Sequence, residues 1–313
     1  MRIVFMGTTE FSVPILAALH EHYTVTLVVT QPDRPVGRKQ DLTPSPVKLF
    51  AVEHGLTLFQ PEKIRLEYQP ILDAQPDVII VAAYGQMIPD IVLNHPQYRS
   101  INVHASLLPK YRGGSPMHTA IYNGDTETGV TIMYMAKKMD SGEILAQRFI
   151  PIESIDNVGT LQIKLSQIGT ALLMETLPKV FDQSIRSVPQ DESLITFAFN
   201  IKPEAERIDF HRSMKQIRDH IRAFQPWPST HALLDGEVMK ILEVEIVPAV
   251  LAHYEGAKDG EIVKIVKNEV FVKVADGLIR LVTIQPAGRK PMSVKDYMNG
   301  LGKAAIKIGK IFE

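Results

Sequence analysis

Short β-branched runs alternate with amphipathic segments through the first 183 residues of the chain. RIVFM at 2–6 is followed by FSVPILAALHEH, with Pro14 placed at a helix start, then by TVTLVVT and by SPVKLFAVEHG, which closes at Gly55. The alternation continues through DVIIVAA at 77–83, SINVH at 100–104, the helix-like PMHTAIYNG and TGVTIMYM at 128–135. Strand and helix periods in succession predict a doubly wound, mostly parallel, Rossmann-like α/β sheet. Apolar residues at helical spacing across 158–181 predict a long helix over that sheet, ending near Asp182.

The pattern then changes. QSIRSVPQDESLITFAFNIKPEAERIDF is polar, carries two prolines and shows little periodicity until Ala205, as a linker does. One amphipathic helix follows in SMKQIRDHIRAF. After it come THALLD, EVMKILEVEIV, GEIVKIVKN, EVFVKVAD and GLIRLVTIQ, short alternating runs divided by Gly, Asp and Asn. Such a meander predicts a small antiparallel OB-like β-barrel. The expected organisation is a sheet domain over 1–183, a linker over 184–204 and a barrel domain over 205–313.

Composition narrows the chemistry. At 313 residues and 45% hydrophobic, the chain is large enough for two domains with a core in each. It has no cysteine, which removes disulfides, zinc–thiolate sites and a cysteine nucleophile. With no charged leader and no apolar stretch of about 20 residues, the reading is a soluble, cytosolic protein without a membrane partner, and a monomer is expected. The net charge of −1 conceals an asymmetry: residues 201–313 carry 18 Lys and Arg against 15 Asp and Glu. From Gln285 on, six Lys and Arg face only Asp296 and Glu313, a local excess suited to phosphates or simply to a solvated tail.

In INVHASLLPKYRGG, Asn102 and His104 flank one valine at the end of an apolar run. Side chains alternate along a strand, so the two share a face at the carboxyl end of a parallel sheet, where ligand crevices form. An amide and an imidazole side by side suit a carbonyl that becomes tetrahedral, one donating to the oxyanion and the other stabilising it or passing a proton. Asp140, in MAKKMDSGEIL, follows the apolar run TGVTIMYM before a glycine turn and is placed to orient or charge His104. Spacing alone leaves open that Asn102 and Asp140 cap turns and that His104 is a satisfied strand-end histidine.

Other chemistries fit poorly. Ser106 lies in SLLPKYRGG, without the G-x-S-x-G elbow of an acyl-serine. Ten histidines are scattered without H-E-x-x-H or a dense ligand cluster, so no metal is expected. VFMGTTEF offers one glycine where a dinucleotide site wants G-x-G-x-x-G, although Gly7, Thr8 and Thr9 still present backbone N–H groups near a helix start. AAYGQMIP at 82–89 ends a strand in residues suited to a flat heterocycle reading backbone groups, or merely to core packing. The connection 31–48 is long for a βα loop and carries Arg34, Arg38, Lys39 and Lys48, tempered by Asp33 and Asp41.

The stretches IVFMGTTEFSVPIL, TQPDRPVGRKQ with TPSPVK, AAYGQMIP, INVHASLLPKYRGGSPMHTAIYNGDTETGVTIMYM, KKMDSGEIL, ERIDF, IRAFQPWPST and IQPAGRKPMSVKDYMNG resemble the methionyl-tRNA formyltransferase family nearly end to end. N-x-H-x-S-L-L-P and M-D-x-G are shared with other folate-dependent formyltransferases. The proline-rich loop, R-A-F-x-P-W-P and Q-P-A-G-x-K-P-M belong to the tRNA-acting branch. The resemblance implies that Asn102, His104 and Asp140 are a catalytic trio acting on 10-formyltetrahydrofolate, which yields tetrahydrofolate as the amine of initiator methionyl-tRNA attacks, with no covalent enzyme intermediate. It places Tyr84, Gly85, Gln86, Met87 and Ile88, with Ser106, Leu107, Leu108 and Pro109, at the folate. Arg38 and Lys39 in the inserted loop, with Arg289 and Lys290 in the barrel domain, are its implied tRNA contacts. Two departures are Glu143, where many relatives have Asp or Pro, and an inserted loop less basic than some. A glycinamide or amino-sugar acceptor, and a nonenzymatic RNA-binding role, are the competing readings.

Overall fold

A computed structural model describes residues 1–36, 40–247, 254 and 256–313. They divide into two compact units: Met1–Pro116, Glu127–Pro151 and Gln162–Asn200 form one, and Met117–Thr126, Ile152–Leu161 and Ile201–Glu313 the other.

In the first unit the strands are β1 (Arg2–Gly7), β2 (Thr24–Val29), β3 (Arg34–Val36), β4 (Asp41–Thr43), β5 (Leu58–Phe59), β6 (Val78–Ala82), β7 (Ser100–His104), β8 (Glu127–Tyr134) and β9 (Ile144–Pro151). Seven of them make one sheet in the order β5-β2-β1-β6-β7-β8-β9. The first five are parallel, β8 is antiparallel to β7 and β9 antiparallel to β8, so the mostly parallel expectation holds. Parallel strands covered on both faces read as continuous apolar runs, and Ile3 to Met6 and Val78 to Ile80 are fully buried.

Helix Val13–His22 carries Pro14 in its first turn as expected, and in helix Pro46–Glu53 Ser45 is the cap, accepting from Lys48 N at 3.0 Å. Helix Val158–Phe181 has the expected extent. A Cβ at Gly169 would stand 3.0 Å from Val103 and 3.3 Å from Val130, so glycine is what lets this helix lie close on β7 and β8.

Three strand features went unforeseen. β9 is an edge strand whose exposed positions are Gln147, Phe149 and Pro151, with Arg148 half-buried between them, which breaks its apolar alternation. β3 and β4 pair as a small ribbon inside the long loop, and β5 is only two residues.

In the second unit, β10 (Thr230–Leu234), β11 (Glu237–Val247), β12 (Ile262–Val266), β13 (Glu269–Val274), β14 (Gly277–Pro286) and β15 (Met292–Ser293) form an antiparallel sheet, ordered β10-β11-β14-β13-β12 with β15 on β14. The chain's last residues join its free edges. Leu233 and Glu313 exchange backbone hydrogen bonds at 2.8 Å, and Ile262 N donates to Lys310 O at 2.8 Å. The sheet is thereby closed around Ile241, Val272, Ile279, Ile284 and Phe312. Helix Met214–Ala223 opens with a Ser213–Gln216 capping box and buries Ile217 and Ile221 in the same core.

Candidate active site

β7 delivers Asn102 and His104 to one face at its carboxyl end, 8% and 7% exposed. Asn102 is in register with Val81 of β6 and Met133 of β8. No described residue hydrogen-bonds the Asn102 amide, which leaves its N–H groups available at the sheet's mouth.

Beyond β7 the chain turns through residues 105–115, and its neighbours hold that turn. Thr131 Oγ1 donates to Ser106 O at 2.7 Å and accepts from Leu108 N at 3.0 Å, while Gln147 Nε2 donates to Leu108 O at 2.8 Å. Ser106 Oγ is spent on Lys110 O at 2.7 Å, which fits a structural hydroxyl rather than a nucleophile. The Leu108–Pro109 bond is cis. The turn brings the Tyr111 carbonyl to His104 Nε2 at 3.0 Å. A carbonyl only accepts, so Nε2 carries the proton and Nδ1 is the nitrogen left for chemistry.

Nδ1 faces Asp140, 3.8 Å from Oδ2. That separation is too long for a direct hydrogen bond but close enough for the carboxylate to stabilise positive charge on the ring. Asp140 occupies the left-handed region at φ 48°, and its Oδ2 accepts from Gly113 N at 2.8 Å. Two residues on, a Cβ at Gly142 would overlap the Tyr134 carbonyl, so glycine there lets the turn seat against β8. This is a physical reason for the M-D-x-G spacing. Glu143, the departure noted above, accepts from Ser187 Oγ at 2.8 Å and stands 3.6 Å from Arg99.

The residues expected at the folate lie at the adjoining strand end. Backbone at Ala83 and Gly85 is left-handed, at φ 46° and 92°, and the Tyr84 carbonyl accepts from Thr8 Oγ1 and Gln31 Nε2 at 2.9 and 3.1 Å. The Tyr84 ring is buried and its hydroxyl has no hydrogen-bond partner among the described residues; burial, reinforced by the charge of Glu67, pushes its pKa up. Gln86 turns back to brace the loops, accepting from Ile64 N and donating to Pro61 O and Gln31 Oε1. Ile88 is core, whereas Met87 is 70% exposed. Leu107 and Pro109 are half-buried on the 105–115 turn and Leu108 is buried.

Arg38 and Lys39 lie outside the described residues. Flanking them, Arg34 pairs with Glu62 at 2.8 Å and Lys48 with Asp33 at 2.7 Å, so these two loop cations are already neutralised. Arg289 and Lys290 are exposed in the turn after β14. Part of the basic excess near the C-terminus is likewise paired, Lys295 with Glu269 at 3.2 Å and Lys310 with Asp235.

Residue types and spacing did not single out Tyr111, Arg112 or Gln190. Tyr111 acts through its backbone. Arg112 is only 6% exposed, a buried cation whose Nε and Nη2 donate to Gln190 Oε1 at 3.1 and 2.7 Å. Gln190 arrives from the segment read as a linker, part of which is hydrogen-bonded to the site turn: Arg112 N donates to Thr196 O at 2.9 Å and Ala198 N to Arg112 O at 2.8 Å. Among the described residues, no group of three or more His, Asp and Glu is arranged to hold a metal and no helix is long and apolar enough to cross a membrane.

Residues 1–177 match the formyl transferase family model and residues 200–302 its C-terminal domain. Over 313 residues the chain is 45% identical to a methionyl-tRNA formyltransferase of Staphylococcus epidermidis, covering 99% of each chain. It is 46% identical to one from Listeria monocytogenes, covering 100% of this chain and 99% of the relative. Among solved structures, HypX from Aquifex aeolicus in complex with tetrahydrofolic acid superposes with a TM-score of 0.67 at 16% identity, over 99% of this chain but 50% of HypX. The sugar N-formyltransferase WlaRD, solved with dTDP and 5-N-formyl-THF, gives 0.66 at 19% identity over 93% and 99% of the two chains. At those identities the likeness establishes the fold.

Proposed function

The chain belongs to the formyl transferase family, in its methionyl-tRNA branch, and from that premise we propose that it formylates the α-amine of methionine carried by initiator tRNA, using 10-formyltetrahydrofolate as donor. The observation that carries the reading is His104, with Nε2 fixed by the Tyr111 carbonyl and Nδ1 turned to Asp140, beside the available Asn102 amide. The folate supplies the formyl group. Residues 1–183 are assigned the transfer itself, 184–204 the link, and 205–313 the tRNA platform.

In this reading the neutral amine attacks the formyl carbon directly, forming a C–N bond and a tetrahedral intermediate, which collapses as the bond to the folate nitrogen breaks. Asn102 donates to the oxygen as it gains negative charge, and His104, once it has taken the amine's proton on Nδ1, donates that N–H to the same oxygen. The proton lost by the amine ends on the departing folate nitrogen, with His104 placed to pass it. Asp140 stabilises the ring whenever it holds that proton. Neither Ser106 nor any other residue needs to form a covalent bond, since the Ser106 hydroxyl is committed to Lys110 O.

The strand-end loop 83–88 supports the donor assignment, because at its exposed left-handed positions, Ala83 and Gly85, little side chain stands between the backbone and a flat ring. Support for the acceptor comes from the end-to-end likeness to methionyl-tRNA formyltransferases, including the second unit. The test supplies 10-formyltetrahydrofolate with charged initiator tRNA and, as a competitor, an amino-sugar nucleotide. Formylmethionyl-tRNA alone is the expected product; formylated sugar in its place would refute the acceptor, and no product at all the reaction.

A further inference from the structure

We propose that Gln190 is a positioning residue for Asp140 and that Arg112 holds Gln190 in the orientation this requires. The inference rests on the formyl-transfer reading for what Asp140 does, but on geometry alone for how Asp140 is held. Gln190 Nε2 donates to the backbone carbonyls of both Asp140 and Gly142, each at 2.8 Å. Its Oε1 accepts from Arg112 Nε and Nη2 at 3.1 and 2.7 Å. A guanidinium only donates and a carbonyl only accepts, so the amide has one allowed orientation: a flip would set its NH2 against Arg112 and its oxygen against two carbonyls.

Asp140 needs such a clasp. At φ 48° it occupies a conformation that non-glycine residues keep only where their surroundings enforce it. Gly142 is pressed on the Tyr134 carbonyl from one side and Gln190 grips the same turn from the other. The Arg112 guanidinium, 6% exposed, is thus a buried charge assigned to a neutral amide oxygen, an arrangement that core packing alone does not call for.

Three consecutive residues tie the site together. The Tyr111 carbonyl fixes His104 Nε2, the Arg112 side chain fixes Gln190, and Gly113 N binds Asp140 Oδ2 at 2.8 Å. Because one short stretch sets both His104 and Asp140, the 3.8 Å between them depends on Gln190 keeping the Asp140 turn docked.

Gln190→Glu and Gln190→Ala test this in the full-length protein. Glutamate keeps a partner for Arg112, as an ion pair that maintains folding, but offers oxygens to two carbonyls that need donors. Both variants should lose about tenfold to 100-fold in kcat, with KM for either substrate changed less than about threefold. In 1H–13C spectra the His104 imidazole peak, identified by its loss in His104→Ala, should shift while those of the other nine histidines stay. A Gln190→Glu protein that folds with wild-type kcat, or one with an unmoved His104 peak and a loss confined to KM, would overturn the proposal. If the wild type itself forms no formyl product, the functional reading fails, and the His104 shift still decides whether Gln190 positions Asp140.

Discussion

His104 turns Nδ1 to Asp140, 3.8 Å from its Oδ2, while the opposite ring nitrogen is tied to the Tyr111 carbonyl at 3.0 Å. The ring is therefore oriented by backbone, and the carboxylate acts on it through charge rather than through a direct hydrogen bond.

Asp140→Asn separates these roles. Asparagine still offers an oxygen to Gly113 N, so the turn should persist while the charge is lost. The expected result is a fall in kcat of about 100-fold or more with folate affinity within about threefold. An unchanged kcat would remove Asp140 from the chemistry.

Asn102→Ala deletes a donor without disturbing a described hydrogen bond. Loss of one oxyanion donor costs about 100- to 1000-fold in kcat, and the melting temperature should scarcely move. Steady-state kinetics beside a thermal melt checks both halves; a large stability loss with normal kcat would make Asn102 structural.

Gly142→Ala forces a methyl group into the Tyr134 carbonyl. Overpacking of this kind costs about 1–3 kcal/mol, and here it should also lift Asp140 away from His104. Denaturant unfolding and kcat should both fall, and wild-type values in both would contradict the close seating of the turn.

One contribution to acid stability lies in the second unit. His220 is buried, with Nε2 donating to Ala205 O at 2.8 Å and Nδ1 without a partner among the described residues. Burial pushes its pKa down to about 4 from 6.5. Because the unfolded chain takes up this proton first, stability is complete above pH 6.5 and falls as pH drops towards about 4, by roughly 3 kcal/mol. His118, also held below its ordinary value by burial, adds in the same direction. Urea unfolding between pH 7 and 4 should show a smaller loss for His220→Gln than for the wild type; equal slopes would rule His220 out as a source.

Much of this was legible in the chain because its signals are local. Pro14 marks a helix start, the strand period places Asn102 and His104 on one face, and Asp140 follows the apolar run of β8, in the turn before β9. β9 was hidden because an edge strand need bury only one face, and Arg148 and Gln147 break its pattern. Gln190 and Arg112 were hidden for another reason: their partners lie 78 residues apart in sequence, and a glutamine in a polar stretch carries no periodic signature. The inserted loop's cations could be counted from the sequence, but the pairing of Arg34 with Glu62 and Lys48 with Asp33 only appears once the chain is folded.

The most direct measurement is a single turnover of formyl transfer by His104→Ala, with 10-formyltetrahydrofolate and charged initiator tRNA both saturating. A rate constant at least about 100-fold below the wild type, with both substrates still bound, is the expected result. A rate within about threefold of the wild type would contradict the assignment of this strand end as the reaction centre.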